Sequence, residues 1–349
     1  MKRILVVTSG ALFVRGGHTV IAEETCAALR RAGVAADLLI TPQNRFGRQF
    51  SAYLATWLTD VGESADGHPI DQVISFRFPS YAVRHPRHVC WLNHRMREYY
   101  DLWERFASGI SWRARIKERA RRRAMQAVDR ALLTRNVTRL VAQSRTIQQR
   151  LVRFGGVPSE VLYPPAPERP YRTDDFGDYI FAVSRLHPLK RLDLLVDAVA
   201  RMRDSSLGVK IAGDGEDRSR LEELIAHHGL EGRVELLGLV SDEALVEHYA
   251  RCRAVFFAPW NEDYGFVTLE AFRSGKPVVT ALDSGGPAEL VVHEKTGFVV
   301  EPTPERMAEC LDQLAADRSL AERLGHAAVS VAARHTWADA VDVLTRFRS

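Results

Sequence analysis

The sequence predicts an α/β protein with two doubly wound parallel sheets, one in each half of its 349 residues. Short apolar runs alternate with helix-like segments along the chain, which is the pattern of parallel strands joined by crossover helices. A single cluster of prolines interrupts this alternation, namely Pro164, Pro165, Pro167 and Pro170. Because proline cannot continue a helix or a central strand, the cluster predicts a linker between two domains, and ligands usually bind in the cleft between such domains.

The first half opens with a β–α–β unit, in which a helix over 19–32 closes at Gly33. Strands are predicted at its short apolar runs, which are 2–8, 36–40, 73–75, 88–92 and 140–142. The segment 111–135 has helical periodicity but few large apolar residues, so we expect a helix that is largely exposed to solvent.

After the prolines the alternation restarts. Strands are predicted over 179–183, 209–212, 234–237, 254–258, 277–280 and 298–300. Helices are predicted over 192–202, 218–228, 242–250 and 266–274. We therefore expect a first domain over 1–163, a linker over 164–176 and a second domain over 177–336.

The charge is distributed unevenly along the chain. The formal net charge is +4, yet residues 1–160 carry 26 Lys and Arg against 13 Asp and Glu. Much of this excess lies in the segment 113–123. A basic first half indicates an anionic partner, and the candidates are a phosphorylated acceptor, an acidic membrane surface and a nucleic acid. We expect no nucleic acid, because Trp112 is the one aromatic residue beside these arginines and no recognition motif occurs.

Two observations concern the cellular compartment in which the protein is expected. The four cysteines lie far apart without a Cys-x-x-Cys pair, which excludes a sequence-visible zinc knuckle and suits a reducing cytosol. The apolar run near the N-terminus is too short for a signal segment, and no other stretch approaches the length of a membrane span. We therefore expect a cytoplasmic protein, and a contact of 113–123 with anionic lipid would place it at the inner face of the membrane.

The most informative segment is 261–270, which follows a predicted strand. Glu262 and Glu270 are eight residues apart, across a loop that becomes a helix at about residue 266. Gly265 permits close approach of the backbone, and the start of a helix favours an anion such as a diphosphate. The amides at this helix start would be those of Phe266, Val267 and Thr268.

Two glutamates separated by seven residues, with the aromatic–glycine pair Tyr264-Gly265 between them, resemble the signature of family 4 glycosyltransferases. These are retaining enzymes of the GT-B fold, so the resemblance implies two Rossmann-like domains that face each other across a cleft. It also implies that Glu262 contacts the donor sugar, that Glu270 contacts the ribose, and that Tyr264 lies in the donor site. The C-terminal segment 337–349 resembles the closing helix of this family, which packs on the first domain.

A second segment, 183–191, resembles the Gly-Arg-Leu-x-x-x-Lys element of the family, with Ser184 in place of the usual glycine. Cleavage of a sugar–diphosphate bond places negative charge on the leaving phosphate, and an enzyme without a metal needs fixed cations there. Arg185 and Lys190 are predicted to supply them. No Asp-x-Asp motif follows a strand of the first domain, so we expect neither a metal nor another cofactor.

Other residues of the second half also resemble donor contacts of the family. Gly213 lies in a turn after a predicted strand, where a tight backbone would approach the nucleotide. Leu239 follows Gly238 at the position of the corner that holds the base. The loop 283–289 resembles the Gly-Gly-x-x-Glu loop of the family, in which Gly285 and Gly286 permit a positive φ or a close approach.

The first half supplies the remaining candidates. Gly16 and Gly17, within Arg15-Gly16-Gly17-His18, resemble the Gly-Gly loop that lies against the donor phosphates. Their spacing is not that of a dinucleotide-binding fingerprint. His94 follows the strand predicted over 88–92 and resembles the histidine of the family's cleft, so it joins Glu262, Arg185 and Lys190 as a catalytic candidate.

The resemblance implies α-retaining transfer of a hexosyl-type sugar from a UDP- or GDP-linked donor. The acceptor would be a glycan, a lipid-linked molecule or a small molecule. Attack on the leaving-group face, with the departing phosphate oxygen accepting the proton, needs no pair of carboxylates of the hydrolase type. The alternative is a nucleotide-sugar 2-epimerase of similar fold. A basic nucleic-acid-binding protein is a remote second alternative, which the lack of aromatic residues among the arginines disfavours.

Overall fold

The computed structural model describes residues 1–11, 16–43 and 46–346, apart from the side chain of His18. Its contacts divide the chain into two compact units, residues 1–164 with 336–349, and residues 165–335. Each unit contains a six-stranded sheet in which every strand pair is parallel. The predicted α/β fold with two doubly wound parallel sheets is therefore confirmed.

The first sheet has the strand order β2-β1-β3-β4-β5-β6. Its strands are β1 (Arg3–Gly10), β2 (Ala35–Pro42), β3 (Gln72–Ser75), β4 (His88–Leu92), β5 (Arg139–Ala142) and β6 (Glu160–Val161). The helices of this unit are α1 (Gly17–Arg31), α2 (Gln49–Leu58), α3 (Trp103–Ser108), α4 (Trp112–Ala131), α5 (Arg145–Arg153) and α13 (Trp337–Thr345). Strands β3 and β4 are buried at every residue, as expected for a parallel sheet that is covered on both faces.

Helix α13 is fixed to the first sheet although it lies at the far end of the sequence. Lys2 Nζ donates to the carbonyl oxygen of Thr345 at 3.2 Å, and Gln72 Nε2 donates to that of Leu344 at 2.7 Å. The Trp337 ring packs edge-on against Trp91, with 6.3 Å between centroids. These contacts explain why the last helix belongs to the first unit.

The exposed helix predicted over 111–135 is α4, and the structure shows that one of its faces is buried. Asp129 is fully buried, and its carboxylate accepts hydrogen bonds from the hydroxyls of Tyr53, Tyr81 and Tyr100, the last at 2.6 Å. The tyrosines come from three other parts of the unit, so this carboxylate joins α2 to α4. Burial raises the pKa of Asp129, while the tyrosine hydroxyls and the nearby Arg95 oppose that effect.

The second sheet has the order β12-β11-β10-β7-β8-β9. Its strands are β7 (Tyr179–Val183), β8 (Gly208–Ala212), β9 (Val234–Gly238), β10 (Ala254–Phe256), β11 (Val278–Ala281) and β12 (Gly297–Val300). Its helices are α6 (Leu192–Val199), α7 (Arg218–His227), α8 (Asp242–Arg251), α9 (Val267–Arg273), α10 (Gly286–Leu290), α11 (Pro304–Ala316) and α12 (Arg318–Ala332). Helix α6 ends three residues before the predicted position. The predicted elements include no counterpart of β6, α2, α3, α5, α10, α11 or α12.

None of the helices in the described ranges combines the length and the apolar character that crossing a lipid bilayer requires.

Candidate active site

The candidate residues of the second unit lie on loops at the carboxyl ends of its parallel strands. Strand β7 has β8 on one side and β10 on the other, so the chain reverses its direction of winding between β7 and β10. In open α/β sheets the crevice at such a switch point is the usual ligand site. Two loops flank it, 184–191 after β7 and 257–266 after β10.

An ion pair joins these two loops. Lys190 Nζ donates to Glu262 Oε2 at 2.6 Å, and the two side chains are 23% and 19% exposed. The same ammonium lies 5.7 Å from the centroid of the Phe257 ring. The backbone joins the loops as well, since the Trp260 amide donates to the Leu189 carbonyl at 2.7 Å. The structure thus brings together Lys190 and Glu262, two of the predicted catalytic residues, at the switch point.

Arg191, which sequence reasoning did not select, fixes the geometry of this pair. Its guanidinium binds both carboxylate oxygens of Asp283 at 2.9 and 2.7 Å, and it donates to the carbonyls of Ala258 and Pro259. Its backbone is left-handed, with φ at 51°. A planar guanidinium can make such a set of bonds and a lysine cannot, but the sequence gives no sign of which arginine does so.

Glycines allow the loop at Glu262 to pack tightly against its neighbours. Gly265 has φ at 78°, and a Cβ there would lie 2.5 Å from the Phe257 ring. Gly285 has φ at 73°, and a Cβ there would lie 2.5 Å from the Glu262 carbonyl oxygen. The Gly286 amide donates to that carbonyl at 3.1 Å. Backbone packing around Glu262 therefore requires these glycines, and contact with a ligand is not needed to explain them.

Glu270 lies in the first turn of α9 and is 6% exposed. Its Oε1 accepts from Arg169 at 2.7 Å and from Tyr171 at 3.4 Å, and its Oε2 accepts from the Tyr249 hydroxyl at 2.8 Å. Burial raises the pKa of Glu270, while Arg169 and the two hydroxyls favour its ionised form. The predicted ribose contact therefore has a shell of three donors, none of which the sequence had indicated.

Arg185 lies apart from this pairing. Its side chain is 67% exposed, and its guanidinium is 3.7 Å from Glu216, which His187 also approaches at 3.5 Å. Long exposed ion pairs of this kind contribute little to stability, so the guanidinium can be drawn to a stronger anion. Arg185 and Lys190 are on the same loop, but their side chains have different carboxylate partners.

Gly213 and Leu239 occupy neighbouring turns at the same edge of the sheet. The Gly213 amide donates to the Gly238 carbonyl at 2.7 Å, and a Cβ on Gly213 would collide with the carbonyl oxygen of Ser184. Gly213 is therefore required by contact between two loops of the unit. Leu239 is 82% exposed, and its contact with the base of a nucleotide stays a prediction.

The helix at whose start an anion site is predicted is short. Helix α9 contains seven residues, Phe266 precedes it as the N-cap, and no side chain caps it. Tyr264 is buried, and its ring meets that of Phe266 edge-on at 5.7 Å. Binding of a diphosphate by the amides of Phe266, Val267 and Thr268 stays a prediction.

The first-unit candidates lie at the carboxyl edge of their own sheet. Gly16 is the N-cap of α1, and its carbonyl accepts from the amides of Thr19 and Val20. Gly17 begins the helix, while Arg15 lies outside the described residues. His94 follows β4, and its Nδ1–H donates to the Arg95 carbonyl at 2.7 Å.

The aromatic residues beside His94 have a packing role. Tyr99, Tyr100 and Trp103 are all buried, so they do not form a platform for a sugar. In the part of the chain that the structure describes, no group of three or more His, Cys, Asp or Glu side chains is placed to hold a metal ion. Independence of a metal stays a prediction.

Comparison with known proteins shows a similarity between the second unit and glycosyl transferases. Residues 169–331 match the family described as "Glycosyl transferases group 1". The chain is 34% identical over 172 residues to the D-inositol 3-phosphate glycosyltransferase of Stackebrandtia nassauensis, covering 46% of this chain and 39% of that protein. It is 33% identical over 180 residues to an exopolysaccharide phosphotransferase of Streptomyces coelicolor, covering 50% of this chain and 18% of that protein. The chain thus spans well under half the length of either relative.

Over its whole length the chain resembles a solved structure, Anabaena HepE in complex with UDP and glucose. The TM-score is 0.72 with 98% of each chain covered, at 18% sequence identity. At this identity the likeness concerns the fold. The fold is thus the GT-B fold, and the family that residues 169–331 match is that of group 1 glycosyl transferases.

Proposed function

We propose that the chain is a retaining glycosyltransferase of family 4 that transfers a hexosyl-type sugar from a UDP- or GDP-linked donor to an acceptor hydroxyl. The observation that carries the proposal is the Lys190–Glu262 pair at the switch point of the second sheet. It places a cation suited to a phosphate beside a carboxylate suited to sugar hydroxyls, on two loops that diverge from one crevice. The family match of residues 169–331 supports the same conclusion.

In the proposed reaction the bond between C1 of the sugar and the diphosphate oxygen breaks, and its electron pair goes to that oxygen. Lys190 and Arg185 stabilise the charge that develops there. The acceptor oxygen forms its new bond to C1 on the same face, and its proton passes to the departing phosphate oxygen. Configuration at C1 is retained, without a carboxylate nucleophile.

Donor binding would exchange the partners of the ion pair. Without a donor, Lys190 and Glu262 satisfy each other at 2.6 Å. A diphosphate carries more negative charge than one carboxylate and would attract the ammonium, which leaves the oxygens of Glu262 to accept from sugar hydroxyls. Glu262 would then orient the sugar, and Glu270, held by its three donors, would accept from the ribose. His94 stays a catalytic candidate of the first unit.

A donor screen followed by variants tests this proposal. UDP-, GDP-, ADP- and dTDP-sugars are ranked by thermal shift, and calorimetry then measures the Kd of the selected nucleotide. We expect Lys190→Met to weaken binding of the free nucleoside diphosphate, and Glu262→Ala to leave it bound but abolish turnover of the sugar nucleotide. Lys295→Met, which changes an exposed lysine of the same unit, is the control.

Turnover by Glu262→Ala at the wild-type rate would refute the role of this glutamate. The anomeric configuration of the product, read by NMR, tests retention, and activity after EDTA treatment tests independence of a metal. The alternative of a 2-epimerase is not favoured, since the matched family is one of glycosyl transferases. Conversion of the nucleotide sugar without an acceptor would reverse that judgement.

A further inference from the structure

The basic residues of α4 differ from other surface arginines in their partners. In the second unit Arg201 pairs with Glu305 and Arg218 with Glu222, both at 2.8 Å. On α4, Arg121 pairs with Glu118 at 2.5 Å. In the described parts of the chain, no carboxylate lies within 4 Å of the other basic residues of this helix, which are Arg113, Arg115, Lys117, Arg119, Arg122, Arg123 and Arg130. Their charge is therefore available to a ligand.

The acidic residues of α4 do not reduce this charge at the surface. The helix contains two of them, Glu118 and Asp129, and both are buried. Glu118 accepts from Tyr99 and Arg121, and Asp129 accepts from tyrosines. The exposed face of α4 is thus basic and apolar along its length.

Three arginines and one glutamine of α4 converge with one arginine of α5 on a groove between the two helices. The groove has a volume of about 460 Å³. Its lining contains no carboxylate and consists of Arg119, Arg122, Arg123, Gln126, Arg153 and Phe154. Guanidinium groups repel one another at such proximity, and an anion that accepts several N–H bonds relieves the repulsion. Phosphate has the geometry that suits this arrangement of donors.

Part of the groove is held in place by the body of the unit. Arg122 Nε and Gln126 Nε2 each donate to the carbonyl oxygen of Tyr99 at 2.9 Å. The Arg122 guanidinium also lies over the ring of Trp103, 4.7 Å from its centroid. These contacts reduce the conformational freedom that a ligand would have to remove, so the groove is partly ordered before anything binds.

The same helix places apolar side chains in line with the groove. Trp112, Ile116, Arg119 and Arg123 follow one another at spacings of four, three and four residues, which puts them on one stripe of α4. Trp112 is 67% exposed and Ile116 is 60% exposed. A water-soluble phosphate compound would make no use of these two residues. The surface of a bilayer contains headgroup phosphates, which suit Arg119 and Arg123, next to an apolar layer, which suits Trp112 and Ile116.

We propose that the groove binds the phosphates of anionic phospholipid headgroups and so attaches the first unit to a bilayer surface, with Trp112 and Ile116 at the boundary between headgroups and acyl chains. Nucleic acid fits less well, because the groove contains one aromatic ring, that of Phe154, and successive bases need a series of stacking surfaces. The inference is independent of the reaction that the second unit catalyses.

Flotation of the full chain with vesicles tests the proposal. Vesicles of phosphatidylcholine are compared with vesicles that also contain phosphatidylglycerol, at low and high salt. We expect binding to the anionic vesicles, weakened by salt. Since each basic contact contributes about fivefold, Arg119→Gln with Arg123→Gln and Arg153→Gln lowers the partition coefficient roughly a hundredfold. Trp112→Ser with Ile116→Ser also weakens it, at unchanged charge.

A matched control removes the same charge elsewhere. Arg201→Gln with Arg218→Gln and Arg306→Gln changes three arginines of the second unit that pair with glutamates, and we expect this variant to bind vesicles as the wild type does. If the control variant and the groove variant lose vesicle binding equally, net charge alone explains the binding and the proposal is overturned. Thermal melting establishes that each variant is folded.

Two further arms distinguish the source of the phosphate. In the first arm, calorimetry measures the binding of inorganic phosphate. If the protein binds inorganic phosphate, and the Trp112→Ser and Ile116→Ser variant binds vesicles as the wild type does, the groove is a site for a soluble phosphate and membrane attachment is contradicted. Binding of a single-stranded RNA that depends on the groove, without binding to anionic vesicles, would likewise refute it. Equal binding to both kinds of vesicle would show that headgroup charge is not recognised.

Discussion

Lys276 offers the sharpest test of the physical reasoning about the second unit. Its side chain is fully buried three residues after the end of α9, where its ammonium donates to the Asp175 carbonyl oxygen and lies 3.7 Å from the centroid of the Phe176 ring. Burial lowers the pKa of Lys276 from the ordinary 10.5 to about 8. A charged lysine in this position therefore destabilises the fold at neutral pH.

The size and sign of the effect follow from linkage. A pKa difference of one corresponds to about 1.4 kcal/mol, so below pH 8 the charged lysine costs roughly 3 kcal/mol. Between about pH 8 and 10.5 the unfolded chain binds a proton at this lysine that the folded chain does not, so the cost falls as the pH rises. Lys276→Met removes the cost but loses one hydrogen bond worth about 1 kcal/mol. We expect the variant to be about 2 kcal/mol more stable than the wild type at pH 7.

Urea unfolding of wild type and variant from pH 7 to pH 10 measures this difference. The advantage of Lys276→Met should shrink as the pH rises above about 8, disappear near pH 10 and reverse at higher pH, where the loss of a hydrogen bond worth about 1 kcal/mol outweighs the remaining cost of the charge. Comparing the two proteins at each pH cancels the titration of the other groups. Lys295→Met, at an exposed position, should show no such trend. A variant less stable than wild type at pH 7, or a difference independent of pH, would refute the reasoning.

Three further predictions concern the carboxylates and a glycine. Asp129→Ala should lower the free energy of unfolding by about 3–5 kcal/mol, because three buried hydroxyls lose their acceptor; urea unfolding with a loss under about 1 kcal/mol would contradict this. Arg169→Met should raise the Kd of the nucleoside diphosphate about tenfold to a hundredfold, because Glu270 loses its cation. An unchanged Kd in calorimetry would show that Glu270 does not contribute to nucleotide binding. Gly285→Ala should lower the melting temperature, since its φ is 73° and its Cβ would crowd the Glu262 carbonyl, whereas Gly232→Ala, with nothing within 4 Å, should not.

The sequence by itself determined the class of fold and most of its elements. Buried parallel strands are continuous apolar runs, so the strands at 73–75, 88–92 and 179–183 could be located from the local sequence alone. The prolines at 164–170 predicted a linker for an equally local reason; the two compact units divide between residues 164 and 165, so residues 165–176 of that linker belong to the second unit. The loop around Glu262 and the loop around Lys190 could be selected because chemically distinctive residues follow strands.

Tertiary structure alone decided how these residues are paired. Lys190 and Glu262 are 72 residues apart, and only the placement of β7 beside β10 brings them to 2.6 Å. The anchoring of Arg191 to Asp283 and the three donors around Glu270 depend on contacts that no local pattern records. A side chain's partner is set by which strands are neighbours and how closely their loops pack, because hydrogen bonds extend about 3 Å in space whatever the separation along the chain.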